Sequence, residues 1–72
     1  KEFISNFSVI QTTEKSPFIF AELKNEYDMK GLQIPLIDLL IAGLVIENNL
    51  VLVTKDKDFE KIKELKKIML KD

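Results

Sequence analysis

The sequence has no cysteine, no histidine, no tryptophan and no arginine, and only two glycines and two prolines. Without cysteine the chain cannot form a disulfide, and without cysteine or histidine it lacks the usual zinc ligands. A metal bound here should therefore be a hard cation held by oxygen atoms, which indicates Mg²⁺ or Mn²⁺. Eleven lysines oppose twelve acidic residues, for a net charge of −1, so overall charge does not point to nucleic-acid binding.

The 72 residues are enough for one small domain, and 46% hydrophobic with 32% charged residues is a globular composition. The longest apolar stretch, residues 34–46, contains Pro35 and Asp38 and is too short to span a bilayer. We therefore expect a soluble, cytoplasmic protein with no membrane association. The chain begins with Lys1 and not with Met, from which we expect that a preceding segment is absent.

The pattern of apolar residues predicts six elements in the order β-α-α-β-α-β. This order predicts an α/β fold with parallel strands. The elements are a strand at residues 7–10, a helix that is capped by Thr13 or Ser16 and stops at Gly31, a buried helix at 35–46, a strand buried on both faces at 50–54, a short helix that groups Phe59, Ile62 and Leu65, and a strand at 68–70.

Carboxylates stand at two places where the predicted fold would bring them together. Asp38 is the only charge in the apolar helix and lies near its N-terminus, and Asp56 and Asp58 follow the apolar strand. Ligands of open α/β sheets bind beyond the carboxyl ends of the strands, where the N-terminus of a helix can also lie. Three carboxylates in one cleft repel one another, and a divalent cation would relieve this repulsion.

Each of these residues also has a purely structural explanation. The helix dipole favours Asp38 in a first turn, Asp58 can cap the helix that starts at Phe59, and Asp56 can be a turn residue. Thr54 can be an ordinary β-branched strand residue, and lysines in such a turn are often plain surface residues. Residue pattern alone leaves these alternatives open.

Two runs of residues together resemble the PIN domain family. The run from Gly31 to Gly43 resembles the family's G-x-x-I-x-x-x-D-x-x-I-A stretch, and the run from Asn49 to Phe59 resembles its L-V-T-x-D/N-x-x-F stretch. The two runs occur in the family's order and at its spacing, and the resemblance is most secure between Gly31 and Leu65.

The resemblance implies a function that the residues alone do not. PIN domains of this kind are Mg²⁺- or Mn²⁺-dependent ribonucleases, and many are VapC-type toxins that are paired with an antitoxin. Asp38 and Asp56 match the acidic metal-binding and catalytic positions, while Thr54 and Asp58 match accessory positions. Lys55 and Lys57 are the residues that we expect to contact RNA.

The chain also departs from the family. The family's first acidic residue, on a central N-terminal strand, and a glutamate on an early helix have no counterpart here. We therefore expect a single partial PIN-like domain over residues 1–72, equivalent to the C-terminal half and inactive by itself. The edge at residues 50–54 would then be open, which favours strand pairing and a two-fold homodimer.

Two other functions fit the same residues. The chain can be a non-catalytic, dimerising α/β interaction module that derives from a PIN domain. A phosphoacceptor or phosphatase-like α/β domain also places an aspartate after a strand. It ranks lowest, because the sequence lacks the early acidic strand and the later lysine-bearing strand of those proteins.

Overall fold

A computed structural model describes residues 11–71, in which helices and a short parallel sheet surround one core. The elements are helix α1 (Ser16–Met29), helix α2 (Leu36–Glu47), strand β1 (Leu52–Thr54), a 3₁₀ helix (Lys57–Lys61) and strand β2 (Lys67–Met69). The strands β1 and β2 pair in parallel, with Thr54 opposite Met69, so the predicted α/β class is confirmed. The strand predicted at residues 7–10 lies outside the described residues.

Both α-helices end where the backbone turns left-handed. Gly31 has φ +71°, and the N–H groups of Gly31 and Leu32 donate to the carbonyls of Asp28 and Tyr27, each at 3.0 Å. This pattern satisfies the last carbonyls of α1, and glycine adopts the required φ without a Cβ clash. Asn49, with φ +54°, ends α2 in the same way. The predicted stop of the first helix at Gly31 is therefore confirmed.

The predicted side-chain cap of α1 is wrong. Neither Thr13 nor Ser16 caps the helix; instead both hydroxyls donate to the carboxylate of Glu47, at 2.6 Å in the case of Ser16. The hydrogen bond from Ser16, followed by that from Thr13, lowers the pKa of Glu47. These contacts join the start of α1 to the end of α2.

The core forms where α1 crosses α2 and where the 3₁₀ helix packs against α2 and β2. A Cβ on Gly43 of α2 would lie 3.9 Å from the Cα of Phe20 in α1, so the two helix backbones approach each other closely at this glycine. The predicted grouping of Phe59, Ile62 and Leu65 is confirmed. The buried apolar residues are Leu23, Tyr27, Leu39, Ala42, Val45, Phe59, Ile62 and Leu65.

The sheet and α2 are less buried than their apolar sequences predict. Strand β1 is shorter than residues 50–54, and Val53 is 55% exposed, so the prediction of burial on both faces is wrong for the described residues. Leu36, Ile37 and Leu40 of α2 are also exposed. Burial of an apolar side chain depends on which element packs against it, and that is not encoded in periodicity. No helix within residues 11–71 is long and apolar enough to cross a membrane.

A buried tyrosine connects α1 to the segment before β2. Tyr27 is 1% exposed; its hydroxyl donates to the Glu64 carboxylate at 2.5 Å and accepts the Lys63 backbone N–H at 3.0 Å. Burial, and then the hydrogen bond to Glu64, raises the pKa of Tyr27 to about 12. Burial opposes the charge on Glu64, but hydrogen bonds, first that from Tyr27, lower the pKa of Glu64.

Tyr27→Phe should destabilise the chain by about 1–3 kcal/mol at pH 7, because two partners lose their hydrogen bonds to the hydroxyl. The folded pKa of Tyr27 lies above its ordinary value of 10.0, so the hydroxyl's contribution is complete below pH 10 and falls as pH rises towards 12. Urea unfolding of both proteins from pH 7 to pH 11 should show the stability gap narrowing above pH 10. A gap that widens there would contradict this account.

Candidate metal centre

Asp38 lies in the first turn of α2, where the helix dipole favours a negative charge. The helix begins after Pro35, whose fixed φ suits a helix start, and it continues as an apolar run into the core. Asp38 is only 7% exposed, and it is the one charged side chain that is buried within the described residues. A carboxylate is costly to bury, so this position requires an electrostatic explanation.

Asp56 and Asp58 are positioned by a short turn after β1. The hydroxyl of Thr54 accepts the backbone N–H of Asp56 at 3.0 Å, and the carboxylate of Asp56 accepts the backbone N–H of Asp58 at 2.9 Å. Asp56 is therefore the N-cap of the 3₁₀ helix, and the cap role considered for Asp58 is wrong. Thr54 and Asp56 fix the turn, while Asp58 lies in its first helical turn.

The three aspartates converge at one point. One carboxylate oxygen from each of Asp38, Asp56 and Asp58 lies within 4.8 Å of the others. Burial raises the pKa of Asp38, and the negative charges of Asp56 and Asp58, together with a hydrogen bond to Asp58, raise it further. The cluster is partly buried, its carboxylates repel one another, and it offers only oxygen donors. These properties fit a hard divalent cation.

Lysines flank the cluster along the chain, and one of them lies close to Asp58. Lys55 and Lys57 flank Asp56 and are exposed, and they line a groove that also includes Lys71 and Glu60. Lys61 lies with its Nζ 3.6 Å from an oxygen of Asp58.

Lys71 and Lys61 were missed by the sequence analysis, although signals for both existed. Lys71 follows Met69 by two residues, as Asp56 follows Thr54, and Thr54 pairs with Met69 in the parallel sheet. Equal offsets past paired strand residues place both side chains at one edge. The i, i+3 spacing between Asp58 and Lys61 is the signal that predicts their proximity on one helical turn.

The acidic side chains come from the N-terminus of a helix and from the turn after a strand, and they meet at one edge of a parallel sheet. This arrangement defines an α/β protein with a candidate cation site. The sequence profile of the PIN domain family matches residues 1–65. The chain belongs to the PIN domain family, and the resemblance stated from its two motifs is confirmed.

A curated relative supports the same family. Ribonuclease VapC2 of Rickettsia felis is 41% identical over 64 residues, which cover 88% of this chain and 48% of that protein. The chain thus spans about half the length of the curated relative that it matches. No solved structure matches the chain with statistical significance.

Proposed function

We propose that this chain is the metal-binding part of a VapC-type endoribonuclease, and that Asp38, Asp56 and Asp58 hold one Mg²⁺ or Mn²⁺ ion. The observation that carries the proposal is the convergence of three carboxylate oxygens within 4.8 Å. The family membership and the name of the VapC2 relative support RNA as the substrate. They also support a toxin–antitoxin context, with an antitoxin protein as partner.

The three aspartates differ in burial, so we expect them to have different roles in binding the ion. Asp38 is buried and held by a helix, so it would fix the position of the ion. Asp56 and Asp58 are more accessible, so they would contact both the ion and the water molecules around the substrate. When bound, the ion would polarise the scissile phosphodiester and activate an attacking water. Thr54 would support the site indirectly by fixing Asp56.

The proposal is tested by cleavage of a single-stranded RNA. The assay compares the 72-residue chain with a fusion of this chain to the part of VapC2 that it does not span. We expect cleavage by the fusion in Mg²⁺ or Mn²⁺ and none in EDTA, and little or none by the chain alone. Three carboxylates satisfy only part of an octahedral ion, so the separate chain should hold it weakly.

Asp38→Asn in the fusion should remove cleavage, whereas Asp28→Asn, at an exposed aspartate paired with Lys24, should not. Cleavage that persists in EDTA or in Asp38→Asn would contradict the metal-dependent function. A fusion that binds Mn²⁺ but cuts no RNA would favour the alternative, a non-catalytic interaction module.

We further propose that the lysine groove follows the RNA backbone beside the acidic cluster. Changing Lys57 and Lys71 together to Gln should weaken binding of a single-stranded RNA. The slope of log K against log salt concentration should become less steep by about 1.4, because two phosphate contacts are lost. Fluorescence anisotropy in EDTA at several salt concentrations measures this without cleavage. The matched control is Lys24 and Lys30 to Gln, since these lysines pair with Asp28 and Glu26 on α1. Equal losses in the two double variants would argue against the groove.

The exposed apolar side chains of the sheet favour a role in association, which the alternative function requires. The homodimer through residues 50–54 stays a prediction.

A further inference from the structure

Lys61 holds an ammonium group against the acidic cluster. Its Nζ lies 3.6 Å from a carboxylate oxygen of Asp58. Lys61 is the last residue of the 3₁₀ helix and follows Asp58 by three residues, so both side chains project from one face of that helix. Asp58 also brings a carboxylate oxygen within 4.8 Å of those of Asp38 and Asp56. The carboxylate of Asp58 therefore belongs both to the cluster and to an ion pair.

We propose that Lys61 is an internal counter-ion of the cation site, which neutralises Asp58 until a divalent cation takes its place. Lys61 is then a positioning residue that sets the affinity for the cation; it is neither a ligand nor a catalytic group. The inference rests on the proposed function, because it requires that Asp38, Asp56 and Asp58 hold a cation. It adds a residue of this chain that opposes the binding of that cation.

The charges of the cluster explain why an ammonium group is held beside it. Three ionised carboxylates close together repel one another, and one positive charge next to them relieves part of that repulsion. A divalent cation brings twice the charge and contacts all three carboxylates, so it can displace Lys61. A free monovalent cation only exchanges one unit charge for another and gains little. The ion pair between Lys61 and Asp58 therefore favours divalent over monovalent cations at this site.

The exposure of the pair makes this exchange possible. The side chains of Lys61 and Asp58 are 47% and 35% exposed. An exposed ion pair is weak, because water solvates both partners and the long lysine side chain loses entropy when it is held. The released ammonium group would return to water at little cost, whereas a buried lysine would be left charged and unpaired in the interior. Lys61 can therefore leave Asp58 when a stronger cation competes for it.

Two other roles of Lys61 fit less well. The helix dipole favours a basic residue in a last helical turn, but this 3₁₀ helix has only five residues, so its dipole is small. Contact with RNA is the role proposed for the lysine groove, and Lys61 is not among the residues that line that groove. A structural role predicts that loss of Lys61 weakens cation binding, whereas an internal counter-ion predicts that its loss tightens cation binding.

The test is a Mn²⁺ titration of the 72-residue chain by isothermal titration calorimetry at low ionic strength. Lys61→Gln should bind Mn²⁺ about threefold to tenfold more tightly than the unchanged chain, because the ion no longer displaces an ammonium group or lies beside one. Lys61→Arg keeps the charge and should bind like the unchanged chain. Lys66→Gln is the matched control: it removes the same charge from an exposed lysine just before β2, at the opposite end of the parallel sheet from the cluster, and should not tighten binding.

A second measurement follows Lys61 itself in the unchanged chain. Saturating Mg²⁺ should shift the side-chain NMR signals of Lys61, because its ammonium group leaves Asp58, and it should leave the signals of Lys66 in place.

The outcomes separate this inference from the proposed function. Binding of Mn²⁺ by the unchanged chain that Lys61→Gln does not tighten, an equal gain in Lys66→Gln, or Lys61 signals that do not move at saturation would overturn the inference alone. Absence of Mn²⁺ binding in both the unchanged chain and Lys61→Gln would overturn the inference and the metal site together. Binding by Lys61→Gln alone would support the inference.

Discussion

Asp38→Asn should abolish saturable Mn²⁺ binding by the 72-residue chain. The substitution keeps the size of the side chain but removes the charge of the buried member of the cluster, leaving Asp56 and Asp58. Two accessible carboxylates at the end of a turn hold a divalent cation poorly, because hydration competes for the remaining ligand positions. Isothermal titration calorimetry, or paramagnetic broadening of NMR signals near the cluster, measures the binding directly.

The loss should be specific to the cluster and should not reflect unfolding. Without metal, Asp38→Asn removes one of three mutually repelling charges, so the free energy of unfolding should not fall substantially. Asp56→Asn should weaken binding less, because Asp56 is exposed, so water screens its charge, and because asparagine remains a good N-cap. Asp28→Asn should bind Mn²⁺ like the unchanged chain. Equal binding by Asp38→Asn and the unchanged chain would remove Asp38 from the site, and no binding by the unchanged chain at millimolar Mn²⁺ would mean that this half-site needs further carboxylates.

The sequence predicted the convergence of the aspartates because topology determines it. An apolar helix that starts at Pro35 and an apolar strand that ends at Thr54 must both enter the core, and their polar termini then meet at one edge. Asp38 and Asp56 are the first acidic residues available at those termini. The approximate bounds of α1 and α2 followed from similarly local signals, namely the proline before one helix and Gly31 after the other.

The details of the site could not be predicted, because several side chains compete for the same backbone groups. Asp56 and Asp58 are both good caps, and the choice of Asp56 depends on the Thr54 hydroxyl, which holds the Asp56 backbone N–H. The link between Tyr27 and Glu64 joins residues 37 positions apart, for which no periodic pattern gives a signal. Local sequence states which groups can bond, whereas the packed fold determines which of them do.

The error on β1 has a different physical origin. The apolar run at residues 50–54 is typical of a strand covered on both faces, and its composition is that of a complete parallel sheet. In the described residues only one face is covered, and Val53 and Ile68 stay accessible. The apolar pattern of β1 is therefore that of a strand covered on both faces, although the described residues cover only one of them.

Ile62→Ala should cause the largest loss of stability that we expect from a single substitution. Ile62 has 0% exposure and lies in the core, directly after the 3₁₀ helix. Removing its larger side chain should cost about 2–5 kcal/mol, from lost burial and from the cavity that remains. A chain of this size has a total stability on the order of 4–11 kcal/mol, so the variant should be close to unfolding at room temperature.

Ile37→Ala is the control that separates burial from residue type. Ile37 is 60% exposed on α2, and its replacement changes the same atoms without creating a cavity, so the free energy of unfolding should change by no more than about 0.5 kcal/mol. Urea unfolding followed by circular dichroism compares the two variants with the unchanged chain. Because β1, the 3₁₀ helix and Asp38 depend on the same core, Ile62→Ala should lose Mn²⁺ binding together with its helical signal as urea rises. Similar losses for Ile62→Ala and Ile37→Ala would mean that the core described around Ile62 does not stabilise this chain.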